Sequence, residues 1–126
     1  MLALDRRGML AGSFELHDLE PGTPREIGPF RLDAFSLPHH VPNAGLRLSA
    51  GGRVVAYTGD TGPSADLVTL AADADLLVAE ATYPEQVPDE DAQYLSSALD
   101  AGRTAAAARS YPGDLAVATA GRTIEV

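Results

Sequence analysis

The alternation of apolar and polar side chains is clearest between Ile27 and Leu37. Phe30, Leu32 and Ala34 fall on one side, and Arg31, Asp33 and Phe35 on the other, as in a half-buried strand. Pro38 stops the run and delivers His39 and His40 into a loop. Leu46-Arg47-Leu48-Ser49 and Arg53-Val54-Val55-Ala56 then flank Ala50-Gly51-Gly52, a hairpin signal, because paired glycines supply the positive φ of a tight turn. Val54 to Tyr57 is short, apolar and β-favouring, the mark of a buried strand. Thr58-Gly59-Asp60-Thr61-Gly62-Pro63 cannot continue it. A helix is expected from Ser64, a good N-cap, with Asp66 in its first turn and Leu67, Val68, Leu70 and Ala71 on one apolar face. Asp73 to Asp75 end that helix, and Leu76-Leu77-Val78-Ala79 is a further buried strand.

This succession of strand, sharp turn, helix and strand puts Asp60 at the C-terminal end of a strand, where α/β proteins place ligands and chemistry. The glycine hairpin brings the His39 segment close to it. Elsewhere the pattern is thinner. Ser13 to Leu19 reads as a strand and Pro21-Gly22-Thr23-Pro24 as a turn or loop. Ser96 or Ser97 caps an alanine-rich helix reaching Ala108.

At 126 residues the chain makes one domain with a single core. A formal charge of −9 makes it a poor binder of phosphate backbones, which argues against direct nucleic-acid binding. All its cations are arginines and it has no cysteine, so disulfides and Cys-rich zinc sites are excluded. Met1 to Arg7 lacks the apolar core of a signal peptide, and no apolar run approaches membrane-spanning length. A cytoplasmic protein with no membrane partner is the expectation.

Asp60 admits competing readings. It caps a turn, as Asp does in Gly-rich loops; or it is a metal ligand, since carboxylates at strand ends suit divalent ions and can bridge two of them; or Asp60-Thr61-Gly62 is the signature of an aspartic peptidase, whose paired carboxylates would require a dimer. His39 and His40 are the other ligand candidates, against the plainer reading of two solvent-facing histidines. His17 suits a surface or packing role. Glu80 ends a core strand and could ligate, act as a base or orient the site. Pro84 to Asp91 is an acidic loop whose Asp89-Glu90-Asp91 run reads as solvated surface.

Three segments decide among these readings. Tyr57-Thr58-Gly59-Asp60-Thr61 matches an (S/T)-G-D-T turn, Glu80-Ala81-Thr82-Tyr83 matches E-A-T-(Y/F), and His39-His40-Val41-Pro42-Asn43-Ala44-Gly45-Leu46-Arg47 matches H-x-V-P-x-x-G-x-R. Together, over about Phe30 to Gly102, they resemble the ribonuclease Z-like and phosphodiesterase-like branch of the metallo-β-lactamase superfamily. The resemblance implies an α/β fold: half of an αββα sandwich, a mixed β-sheet with helices on one face. It implies a two-metal site, usually zinc, with Asp60 as bridging ligand, His39 as a second ligand, and His40 and Glu80 as neighbours that shape and orient the site. Aspartic peptidases usually carry apolar residues directly before Asp-Thr-Gly, where this chain has Thr58 and Gly59.

The chain also departs from that pattern. The branch's H-x-H-x-D-H string, which supplies most ligands, is absent, and no histidine follows His40. Tyr94 and Leu95 stand where nuclease-like members carry a polar histidine. Leu115 to Thr119 and Thr123 to Val126 resemble the last strands, with a Thr-His segment skipped. The expectation is therefore a single partial domain over residues 1–126 that binds metal weakly and is inactive alone. It would be completed by a homodimer partner or a complementary N-terminal half. A hydrolase of phosphodiesters or other esters is the first functional reading. A non-catalytic remnant or interaction module is the second, and a dimeric aspartic peptidase using Asp60 the third.

Overall fold

A computed structural model of the chain describes residues 12–15, 17–107, 116 and 121–126. Five strands, β1 (Arg25–Ile27), β2 (Phe30–Leu37), β3 (Asn43–Ala50), β4 (Arg53–Tyr57) and β5 (Leu76–Val78), form one sheet in sequence order. The first four pair antiparallel and β5 joins β4 in parallel, so the sheet is mixed. Helix α1 (Asp66–Ala71) makes the crossover between β4 and β5, and α2 (Ala98–Ala107) packs against α1.

The expected hairpin closes at Gly51-Gly52, with Ala50 paired to Arg53. Three strand expectations change. Ile27 to Leu37 is two strands, because Gly28 takes a φ of 58° and turns the chain between Ile27 and Phe30. Among the described residues of Ser13 to Leu19 there is no strand, and Thr123 to Val126 form none either. The expectation for Leu115 to Thr119 lies, apart from Ala116, outside the described residues.

α1 lies on one face of the sheet. Its Leu67 and Leu70 pack with Leu37, Ala56 and Ala74 into the core, flanked by Phe35, Val54 and Leu77. Arg47 stands on that face and donates to the carbonyls of Leu70 and Ala72 at 2.8 and 2.6 Å. It thereby occupies helix-end acceptors that have no partner inside the helix. α2 starts in a capping box. The Ser97 hydroxyl accepts from the Asp100 N–H at 3.2 Å, and the Asp100 carboxylate accepts from the Ser97 N–H at 3.1 Å.

The opposite face carries apolar side chains in cross-strand rows. One row runs Ala34, Leu46, Tyr57, Val78 and the next Leu32, Leu48, Val55, Leu76. Tyr57 and Val78 remain 45% and 41% exposed.

Candidate functional site

β2 ends at Leu37 and β4 at Tyr57. Both chain segments leave the sheet at the same rim, and the loops that follow carry His39 and Asp60. Several bonds tie the two loops together. The Gly62 N–H donates to the Pro38 carbonyl at 2.9 Å. The Asn43 side-chain amide donates to the Asp60 carbonyl at 2.7 Å. Gly59 sits at φ 61°, a conformation that a residue with a Cβ adopts only under strain, and Asn43 lies over it. The turn thus projects the Asp60 carboxylate outward from the rim.

The His39 ring is held from behind. Its Nδ1 lies 2.9 Å from the Tyr94 carbonyl oxygen. A carbonyl can only accept, so Nδ1 carries the proton, and in the neutral ring the lone pair is on Nε2. That nitrogen faces Asp60, with Nε2 and Oδ2 3.9 Å apart. This is too long for a hydrogen bond. It is about half an ångström more than the roughly 3.4 Å between two donors on one tetrahedral zinc ion. The His39 side chain is 15% exposed and that of Asp60 64%. The site is therefore open on its carboxylate side and walled on its imidazole side.

An imidazole nitrogen and a carboxylate are donors that zinc accepts, and they converge here. Among the described residues no group of three or more His, Cys, Asp or Glu side chains could hold a metal ion. A firmly held zinc needs three or four protein ligands. The pair fits a metal centre as part of its donor set and does not complete one.

The other two candidates turn elsewhere. His40 Nε2 lies 3.3 Å from Asp91 Oδ1, and its ring stacks on Tyr94 with centroids 4.3 Å apart. Glu80 points into the scaffold. Its Oε1 accepts from the N–H groups of Ser96 at 2.7 Å and Thr61 at 3.2 Å. Its Oε2 accepts from the Thr82 N–H at 2.7 Å and hydroxyl at 2.8 Å. With that many donors satisfied by one carboxylate, Glu80 fastens the Asp60 turn to the start of α2. His17 is exposed beside Glu15, at 3.3 Å. A groove of about 620 Å³ runs along His39 and His40, walled by Leu19, Leu37, Val41 and Pro42.

Sequence reading missed the Tyr94 carbonyl, Asn43 and Asp91. The first is a backbone atom and leaves no trace in residue types. Asn43 had a signal, a short amide three residues beyond the His-His pair. Asp91 was hidden inside an acidic run.

Comparison with known proteins bears on this geometry. The β-lactamase superfamily domain model matches residues 2–119. The probable metallo-hydrolase YhfI of Bacillus subtilis (strain 168) is 30% identical over 86 residues, covering 68% of this chain and 35% of that protein. An uncharacterized protein of Mycobacterium leprae (strain TN) is 32% identical over 96 residues, covering 75% of this chain and 34% of that one. The crystal structure of YhfI, a metallo-β-lactamase fold protein, superposes with a TM-score of 0.66 at 27% identity, over 72% of this chain and 38% of that one. Human tRNase Z, short form, superposes with a TM-score of 0.58 at 31% identity, over 68% and 34%. The chain thus spans about a third of the length of the relatives it matches.

Proposed function

Because the chain belongs to the β-lactamase superfamily, we propose that it serves a metal-dependent hydrolase, with His39 and Asp60 as its contribution to a zinc centre. The observation that carries this reading is that His39 Nε2, the ring nitrogen left to ligate when Nδ1 donates to the Tyr94 carbonyl, lies 3.9 Å from the Asp60 carboxylate at an open sheet rim. When bound, zinc would polarise the scissile ester and lower the pKa of a coordinated water. The chain's own residues do the rest. Tyr94 fixes the ligating tautomer, Asn43 and Gly59 aim Asp60, and Glu80 locks the Asp60 turn to the scaffold. The substrate class is a phosphodiester or another ester, seated in the groove beside His39 and His40. The remaining ligands come from a second copy or a complementary N-terminal half. The isolated chain is accordingly a weak metal binder and inactive. The aspartic-peptidase reading has no support left once the family is established.

A second reading is favoured by the incomplete donor set among the described residues. In it the chain keeps the fold as an interaction module and has lost the chemistry. Elemental analysis after equilibration with zinc separates the two. Zinc above background, in the chain or in its complex with a completing partner, that falls in both His39→Ala and Asp60→Asn supports the metal centre. Zinc at background in the parent chain, and also in its complex with a completing partner, leaves the interaction module.

A further inference from the structure

The acidic loop after β5 holds a cluster that the metal reading does not use. Asp91 differs from its neighbours Asp89 and Glu90, which are exposed, in turning inward. Its Oδ2 accepts from the Tyr83 hydroxyl at 2.7 Å, and its Oδ1 lies 3.3 Å from His40 Nε2. The bond to Asp91 pushes the Tyr83 phenol above its ordinary range, the direction expected when a carboxylate holds a phenolic proton. The Asp91 carbonyl also accepts from the N–H groups of Tyr94 at 2.8 Å and Leu95 at 3.0 Å. One residue therefore starts the turn, ties it to the segment after β5 through Tyr83, and ties it to the His39 loop through His40.

What that turn presents is the Tyr94 carbonyl, the acceptor for His39 Nδ1. Its other side rests on Gly62, where an added Cβ would collide with the Gln93 carbonyl. Backbone packed on backbone leaves no side chain to rotate aside, so the turn's height above the rim is fixed by Gly62 and its lateral position by Asp91.

We propose that Asp91 is a positioning residue for the candidate centre: by clamping Tyr83 and His40 it holds the Tyr94 carbonyl against His39 and so selects the imidazole tautomer whose Nε2 faces Asp60. This rests on reading His39 as a ligand, and it extends that reading to a residue that touches neither the ion nor the substrate. A hydrogen bond of this kind favours one tautomer by roughly five- to tenfold. Removing a partner behind a ligating histidine typically weakens metal binding by about tenfold or more.

Long-range nitrogen–proton NMR of the imidazoles in the full chain, at a pH where His39 is neutral and with no metal added, reads the tautomer directly. Asp91→Ala should lower the Nδ1–H to Nε2–H ratio of His39 by about fivefold. Tyr83→Phe should shift it in the same direction by less, and Asp91→Asn, which keeps one acceptor, should restore part of it. Zinc titration of the same variants should show affinity falling by about tenfold in Asp91→Ala. If Asp91→Ala does not fold, Tyr83→Phe decides alone. An unchanged His39 ratio in every folded variant overturns the proposal. A shifted ratio in a chain that binds no zinc, alone or in complex with a completing partner, leaves the positioning role standing and removes the metal reading instead.

Discussion

Glu80 separates a scaffold role from a catalytic one, and a single isosteric change tests it. In Glu80→Gln one carboxylate oxygen becomes an amide nitrogen, which donates where the oxygen accepted. Two orientations are available. The amide nitrogen can replace Oε1, facing the N–H groups of Thr61 and of the buried Ser96, or replace Oε2, facing the N–H and hydroxyl of Thr82. Thr82 is exposed, so water can take over its donors, whereas the Ser96 N–H has no such recourse. The glutamine therefore keeps its oxygen on Ser96 and gives up Thr82. The expected loss is about 1–2 kcal/mol, the cost of weakening two partly solvated charge-assisted bonds. Glu80→Ala also strands the N–H groups of Ser96 and Thr61 and should cost about 3–5 kcal/mol. Urea unfolding at neutral pH measures both, with a melting shift of roughly 3–6 °C per kcal/mol as a check. Because Glu80 does not face Asp60, zinc stoichiometry of folded Glu80→Gln should stay near that of the parent. A variant with parental stability but lost zinc would refute the reasoning and make Glu80 a ligand.

Other perturbations probe the scaffold. Arg47→Met keeps the aliphatic stem but leaves the Leu70 and Ala72 carbonyls without their charged donor, and should lose about 2–3 kcal/mol in urea unfolding. The Asp75 carboxyl is held below its usual range by the Arg53 guanidinium and then by the Val54 N–H. Its contribution is thus fully present above the unfolded value of 3.8 and is lost as pH falls through the lower folded value. Melting temperatures of the parent and Asp75→Asn should differ at neutral pH and converge in acid below pH 3.8. The exposed Tyr57 and Val78, at the end of one apolar row, should drive self-association of the isolated chain. A compact, well-folded monomer at high concentration in analytical ultracentrifugation would count against that.

The parts of the fold legible in the sequence were those whose causes are local. The Gly51-Gly52 turn fixes the β3–β4 register, and the apolar face of Leu67 and Leu70 fixes which side of α1 meets the sheet. The alternation from Phe30 onward was equally plain, yet it did not show that Gly28 turns the chain just before it. Periodicity reports which side of a strand is buried and is blind to a reversal inside a run of compatible residues. The convergence of His39 and Asp60 was legible because a hairpin and a proline stop place both at one rim. The wall behind His39 was not, because its key atom is a backbone carbonyl 55 residues further along the chain. Asp91 was misjudged for a different reason. Three consecutive acids look like a solvated run, and only the fold distinguishes the one that turns inward.

The candidate site is assembled by contacts among residues of this chain alone, and that constrains how activity can depend on a partner. Pro38 is bonded to Gly62, Asn43 to Asp60, Tyr94 to His39, and Glu80 to Thr61 and Ser96, all within residues 38–96. None of these bonds uses the apolar rows on the other face of the sheet, where Tyr57 and Val78 lie. A partner docking on those rows can add ligands, but it has little geometry left to create on the His39 and Asp60 side. Completion should therefore raise metal affinity by adding donors to a preorganised pair, not by folding the pair into place. It follows that the His39 tautomer, read without metal, should be the same before and after a partner binds, while zinc affinity rises. A tautomer that changes on assembly would mean that the pair is organised from outside.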